Sequence, residues 1–285
     1  MVNKLNFVAI IQARSDSKRL PKKIFYKYKN ISYLEILIRR LKQSKKIQKI
    51  VLATSKNKED DQVEILGKKL KINSFRGSEK DVTDRYFKAA KCFKAKNIVR
   101  ITGDCPLVDY SLVDQLVEVF SNNNFDYVTN TMPPTYPDGF DIEVFNYKSL
   151  KKSWLESRKK NHLKEHVTTY IRENNIFKKK NIYYKKNFAF LRLTLDYQED
   201  VVVLNSVLKN FKNIYKFGID EVIALYKKNN KIFFSNMNIK RNEGLNLSTG
   251  QKVWRRAKQI IPGGSMLFSK NPDLFLPNKW PAYLR

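Results

Sequence analysis

A chain of 285 residues, 42% of them hydrophobic, can bury the core of one large α/β domain with length to spare, and its apolar runs all fall far short of the roughly 20 residues that cross a bilayer. The formal net charge of +29 would suit a nucleic-acid partner, but Lys outnumbers Arg 42 to 14, whereas base readout and bidentate phosphate recognition favour Arg. The charge is therefore read as compositional bias, with neither nucleic acid nor membrane expected as a partner. Two cysteines, Cys92 and Cys105, are too few for a disulfide framework and fit a reducing cytoplasm.

In chain order the apolar pattern predicts strand 6–12, helix 31–45, strand 49–53, helix 59–69, strand 72–76, helix 80–94, strand 97–102, helix 111–121 and strand 126–130. This alternation is that of βαβ units, an α/β fold with a mainly parallel sheet sandwiched by helices. TMPPTYPDGF (131–140) reads as a turn-rich loop, and DIEVF (141–145) as a strand that re-enters the sheet. Residues 145–190 carry thirteen Lys or Arg against three acids and are read as a solvated basic face or a lid over an anionic ligand. FLRLTLD (190–196) is predicted as a further strand, followed by helices at 198–212 and 218–229. The domain is expected to span 1–243. Residues 244–285 form a linker and a Pro- and Gly-rich tail with no core of its own.

Ligands of such sheets collect at the carboxyl ends of the strands. ARSDSKRLPKK (13–23) leaves the first strand with five cations, Arg14, Lys18, Arg19, Lys22 and Lys23, and the first glycine of the chain is Gly67. If this loop holds phosphates, it does so with side chains, and a polyphosphate leaving group needs such charge compensation. TGDCP (102–106) closes another strand. Gly103 lets backbone approach a ligand, and Asp104 is a hard oxygen donor suited to Mg²⁺. Asp196 ends a strand in the same way. Read singly, each could be a turn residue, a cap or a solvated charge. His162 and His166 stand four apart, but no third ligand accompanies them and their order is not that of a zinc helix.

Six segments in order, IIQARSDSKRLPKK, FRGSEKDVTDRY (75–86), RITGDCPLVD (100–109), TYPDGFDIEVF (135–145), KEHVTTYI (164–171) and RLTLDYQED (192–200), resemble the motifs of the spore coat polysaccharide biosynthesis protein F family, relatives of the sialic acid and KDO cytidylyltransferases. The resemblance covers about residues 5–230. It implies a glycosyltransferase-A-like nucleotidyltransferase fold, CTP as substrate, Mg²⁺ as cofactor, a small-molecule acceptor (an acidic or amino-modified sugar, or a phosphonate) and a homodimer. By position it makes Arg14, Arg19 and Lys23 catalytic cations on the triphosphate, and Asp104 and Asp196 the metal carboxylates. Gln12, Ala13, Arg76, Gly77, Ser78 and Gly103 become nucleotide contacts, although Arg76 could equally pair with Glu79 or Asp84. Asp81 and Arg85 would knit their loop together. Asp138, Asp141, Glu143, Glu165 and His166 would line the acceptor pocket. The family pattern in the first loop is close to ARxGSxRLPGK, so Asp16 and Lys22 stand where it has glycines. The tail from Ser248 is similar to the opening of a glutamate-1-semialdehyde aminomutase-like aminotransferase that depends on pyridoxal phosphate. That likeness implies an aminotransferase domain beyond the chain end, or a linker that imitates one.

Overall fold

The computed structural model describes residues 6–17 and 19–241. Lys18 and the tail from Ser248, where a likeness to an aminotransferase is expected, lie outside the described residues. The chain divides into a unit Met1–Asn238, to which all that follows refers, and Ile239–Arg285, of which only 239–241 are described.

The elements run β1 (Phe7–Gln12), a hairpin of β2 (Lys27–Tyr28) and β3 (Ile31–Ser32), α1 (Tyr33–Leu41), β4 (Lys49–Ser55), α2 (Asp61–Lys69), β5 (Asn73–Gly77), α3 (Val82–Cys92), β6 (Asn97–Thr102), α4 (Tyr110–Asn122), β7 (Tyr127–Thr129), β8 (Glu143–Asn146), α5 (Tyr147–Ser157), α6 (Thr169–Glu173), β9 (Lys179–Asn181), α7 (Gln198–Lys209) and α8 (Ile219–Lys228). Seven strands form one sheet in the order β5-β4-β1-β6-β8-β7-β9. All neighbours are parallel except β8, which re-enters antiparallel between β6 and β7.

Both faces of the sheet are covered, so β1 reads as an unbroken apolar run rather than an alternating one. Its Phe7, Ala9 and Ile11 pack with α1, α4, α7 and α8. Val8 and Ile10 point the other way, into a core shared with α3, α5 and α6.

Two parts of the pattern differ from expectation. The stretch 190–196 makes no ladder in the sheet. It lies along the turn at Asp138, with one parallel bridge, Asp138↔Arg192, and backbone bonds from Asp138 N to Leu191 O (2.9 Å) and from Leu193 N to Asp138 O (2.7 Å). Gly139 makes this approach possible, because a Cβ there would sit 2.5 Å from Leu193 O and its φ is +102°. The basic stretch 145–190 is neither bare face nor lid alone. It supplies α5, α6 and the edge strand β9, whose lysines keep an open edge from pairing. The face that α5 buries is mainly serine, Ser149, Ser153 and Ser157 around Leu150, which leaves no apolar period to read.

Glycine scarcity shows at the helix ends. α2 and α3 both close in Schellman turns, with Lys71 N on Lys68 O and Ile72 N on Gly67 O in one, and Lys94 N on Lys91 O and Ala95 N on Ala90 O in the other. The left-handed residue of each is a lysine, Lys71 at φ +53° and Lys94 at φ +51°.

The loops that carry the site are fastened from behind. Arg40 on α1 is wholly buried and donates to the carbonyls of Leu107, Val108, Ile214 and Phe217 at 2.6–3.2 Å. Burial pushes its pKa down to about 10 against the opposing charge of Asp109. Asp109 caps α4 and also accepts from Ile219 N (2.9 Å), joining the exit of β6 to the start of α8.

Candidate active site

The loop after β1 folds back on itself, with Lys22 N bonded to Ser15 O and Lys23 N to Leu20 O. Lys22 adopts φ +53°, so of the two family glycine positions it is the one at Lys22, not the one at Asp16, that requires a left-handed backbone. Asp60 anchors the loop from the neighbouring strand end. Its buried carboxylate accepts Ser15 N (2.6 Å) on one oxygen and Ser55 N (3.1 Å) and Ser55 Oγ (2.5 Å) on the other. Burial raises the Asp60 pKa, but these bonds outweigh it and hold the carboxyl below its ordinary range. Nothing in the sequence marks Asp60, since its role exists only once β1 and β4 lie side by side.

Asp104 and Asp196 converge although 92 positions separate their numbers. Leu195 N (2.9 Å) and Thr194 Oγ1 (3.1 Å) both donate to Asp104 O, laying the segment before Asp196 against the loop after β6. Between the two carboxylates sits Lys23 Nζ, 2.6 Å from Asp104 Oδ2 and 2.8 Å from Asp196 Oδ1. Arg19 Nη2 reaches Asp196 Oδ1 at 2.6 Å. Burial works against the Lys23 ammonium, yet the two carboxylates more than offset it and raise its pKa. Burial likewise disfavours the charged forms of Asp104 and Asp196, and the adjacent cations, Lys23 first, hold both below the usual carboxylate range. Gly103 N donates to Gln12 O (2.8 Å), and a Cβ at Gly103 would lie 2.8 Å from that same oxygen, so the close contact of the β1 and β6 ends requires glycine.

Among the expected nucleotide contacts, Gln12 accepts from Arg100 (3.1 Å) and Ala13 N donates to Ala53 O (3.2 Å). Arg76 pairs with neither Glu79 nor Asp84. It donates to Asp61 (2.5 Å), Ser55 O and Asn57 O, and lies 3.5 Å from Glu64, bracing the loop after β4. Gly77 is packed against Arg85. Ser78 Oγ accepts from Asp81 N (3.0 Å), Ser78 O accepts from Arg85, and Asp81 caps α3 through Asp84 N (2.8 Å). A cavity of about 540 Å³ lies over these loops, lined by Arg14, Ser17, Lys22, Ser55, Asn57 and Glu79 among others.

The expected acceptor residues divide. Glu143 is buried and holds Arg100, Tyr127 and Thr168 Oγ1 (2.6 Å). Burial raises its pKa, but Arg100 and these donors pull it below normal. Asp138 is buried against Arg192 Nη1 (3.1 Å). Asp141 is half-buried in the same turn. Glu165 and His166 instead line a smaller cavity, about 130 Å³, together with Gln12, Ala13, Arg14, Val82 and Arg85. Burial lowers the His166 pKa, assisted by Arg100 and Arg172 and opposed by Glu165, so the imidazole is largely uncharged at neutral pH. His162 lies in a separate short helical turn, Asn161–Leu163, and the two imidazoles share no regular helix. Cys105 is buried beside Thr102 Oγ1 (3.1 Å), and burial pushes its thiol well above the usual range, which makes it a packed side chain rather than a nucleophile.

The model of the cytidylyltransferase family matches residues 8–239. This chain belongs to the cytidylyltransferase family. It is 32% identical over 227 residues to the spore coat polysaccharide biosynthesis protein SpsF of Bacillus subtilis, a match covering 77% of this chain and 93% of that protein. Over 243 residues it is 40% identical to an uncharacterised protein of Methanocaldococcus jannaschii, covering 83% and 97% respectively. The structure of a cytidylyltransferase from Leptospira borgpetersenii aligns with a TM-score of 0.79 at 34% identity, over 83% of this chain and 100% of that one. The mixed, mainly parallel seven-stranded sheet is thus an α/β nucleotidyltransferase fold.

Proposed function

We propose that this cytidylyltransferase moves CMP from CTP to a small acceptor and releases pyrophosphate. The carrying observation is the convergence of Arg19, Lys23, Asp104 and Asp196 at the carboxyl ends of β1 and β6. An acceptor oxygen attacks the α-phosphorus in line. The new O–P bond forms as the bond to the β-phosphate oxygen breaks, and the electron pair leaves with pyrophosphate.

Arg14, Arg19 and Lys23 hold the triphosphate and the charge that develops on its leaving end, and Gly103 lets backbone close on the nucleotide. Arg14 is free for this work, being exposed and without a hydrogen bond or ion pair to another described side chain. Asp104 and Asp196 fit Mg²⁺. They are hard oxygen donors aimed at one point, and that point already accepts a cation, the Lys23 ammonium. Mg²⁺ needs few protein carboxylates, because phosphate and water complete its shell. When bound, Mg²⁺ would neutralise phosphate charge at this point.

On the acceptor side, Glu165 and His166 border open space, and Asp141 stands near the Asp138 turn. Asp138 and Glu143 hold buried cations and serve as supports. An acidic or amino-modified sugar, or a phosphonate, is the expected acceptor. The likeness to SpsF favours a polysaccharide precursor as product, and the enzyme is further read as a cytoplasmic homodimer. The test is pyrophosphate release from CTP, UTP, ATP and GTP across a panel of such acceptors. Release with CTP and one acceptor class is expected. No release with any pair, together with steeply salt-dependent binding of DNA or RNA, would favour a basic nucleic-acid-binding protein instead.

A further inference from the structure

Asp196 is held from two sides. Its Oδ1 faces outward, to Lys23 Nζ at 2.8 Å and Arg19 Nη2 at 2.6 Å. Its Oδ2 faces inward, to Arg192 Nη2 at 3.0 Å. Arg192 cannot drift, because its side chain is only 5% exposed and every arm of its fork is engaged. Nε and Nη2 meet Asp200 at 2.9 and 3.1 Å, and Nη1 meets Asp138 at 3.1 Å. Asp200 is fixed in turn. It also accepts Asp196 N (2.8 Å), Tyr197 N (2.9 Å) and Asn236 Nδ2 (2.8 Å), and Asn236 Nδ2 reaches Arg192 O as well (3.0 Å). The network thus ties Asp196 by its backbone and by one of its two oxygens.

We propose that Arg192, anchored by Asp138 and Asp200, is a positioning residue that withholds Asp196 Oδ2 and offers the site Oδ1 alone. The inference rests on the reading of Asp104 and Asp196 as carboxylates for a divalent cation. A guanidinium can do this, because its parallel Nε and Nη2 donors are locked on Asp200 while Nη2 also reaches Asp196 Oδ2, and a lysine ammonium cannot reproduce that fork. The chemical consequence is selectivity. Mg²⁺ demands near-octahedral geometry and takes carboxylates through single oxygens, whereas Ca²⁺ is larger and readily accepts both oxygens of one carboxylate. Releasing Oδ2 therefore favours Ca²⁺ over Mg²⁺. It also reassigns Asp138 from the acceptor pocket to the anchorage of Arg192.

The test is displacement of Mn²⁺ by Mg²⁺ and by Ca²⁺ from the protein–CTP complex, followed by electron paramagnetic resonance without acceptor, alongside thermal melting. Arg192→Lys and Arg192→Gln should weaken Mg²⁺ by about tenfold and raise the Ca²⁺-to-Mg²⁺ affinity ratio, as loss of such outer partners does at other metal sites. Asp138→Asn should move the ratio the same way by less, and it carries the test if the Arg192 variants do not fold. A lower melting temperature with an unchanged ratio would make Arg192 a purely structural residue and overturn the proposal. So would an Asp138→Asn protein that folds and keeps the wild-type ratio. Failure of the wild-type complex to hold Mn²⁺ at all would overturn the cation site itself, and the proposal with it.

Discussion

Lys23 reaches across 81 positions of the chain to place its ammonium 2.6 Å from Asp104 Oδ2. Lys23 and Arg19 together offset the charge of the two carboxylates. On the proposed reading, CTP draws the Lys23 ammonium from the carboxylates onto a phosphate. Lys23→Met should therefore let nucleotide-free protein take up Mn²⁺ several-fold more tightly, and should weaken CTP binding by about ten- to a hundredfold, the worth of a charge-assisted contact. Titration of Mn²⁺ with and without CTP separates the two effects. Unchanged Mn²⁺ affinity in the free variant would mean that Lys23 does not compete for the site.

Arg19→Ala should weaken CTP binding far more than CMP binding, since Arg19 is assigned to the β- and γ-phosphates. Calorimetry with both nucleotides checks this. Equal losses would move Arg19 away from the pyrophosphate.

The acid limb of stability should carry the signature of Asp196. Its folded pKa and that of Asp104 lie below the unfolded value, so the unfolded chain binds more protons in that range and stability rises with pH through it. The contribution is complete above the ordinary carboxylate value of about 3.9 and fades as pH falls below it. Urea midpoints of wild type and Asp196→Asn should differ more at pH 6 than at pH 3. A gap independent of pH would contradict the shift. Asp104→Asn and Asp196→Asn should each also cut Mg²⁺-dependent turnover by at least about a hundredfold with the fold retained.

Lys71→Gly and Lys94→Gly offer a test unrelated to the site. A left-handed non-glycine residue costs about 1–2 kcal/mol, part of which glycine returns as unfolded-state entropy, so each change should stabilise by about 0.5–1 kcal/mol. Denaturant midpoints should rise with activity unchanged. A fall in stability would mean that the lysine side chains make contacts worth more than the strain.

Much of the fold is legible in the sequence because each strand–helix unit carries its own period. Strand 97–102 and the helix beginning near 198 are found where the pattern places them. The end of the strand at 190–196 misleads, because Leu191, Leu193 and Leu195 are buried against the Asp138 turn and the helices rather than in a ladder, and burial alone produces the same alternation. The residues that aim the site, Asp60, Arg192 and Asp200, were not legible as such. Asp200 shows only as an acid in the first turn of α7, where a cap suffices to explain it. Arg76, Asp138 and Glu143 stood out by motif, yet their partners Asp61, Arg192 and Arg100 are settled by tertiary packing alone.

Asp104 and Asp196 are proposed to hold the divalent cation that accompanies CTP. Anomalous diffraction from crystals of the protein with CTP and Mn²⁺ tests this most directly. A manganese peak is expected between Asp104 and Asp196 Oδ1, with the Lys23 ammonium moved onto a phosphate. A peak elsewhere, with Lys23 still bridging the two carboxylates, would contradict it.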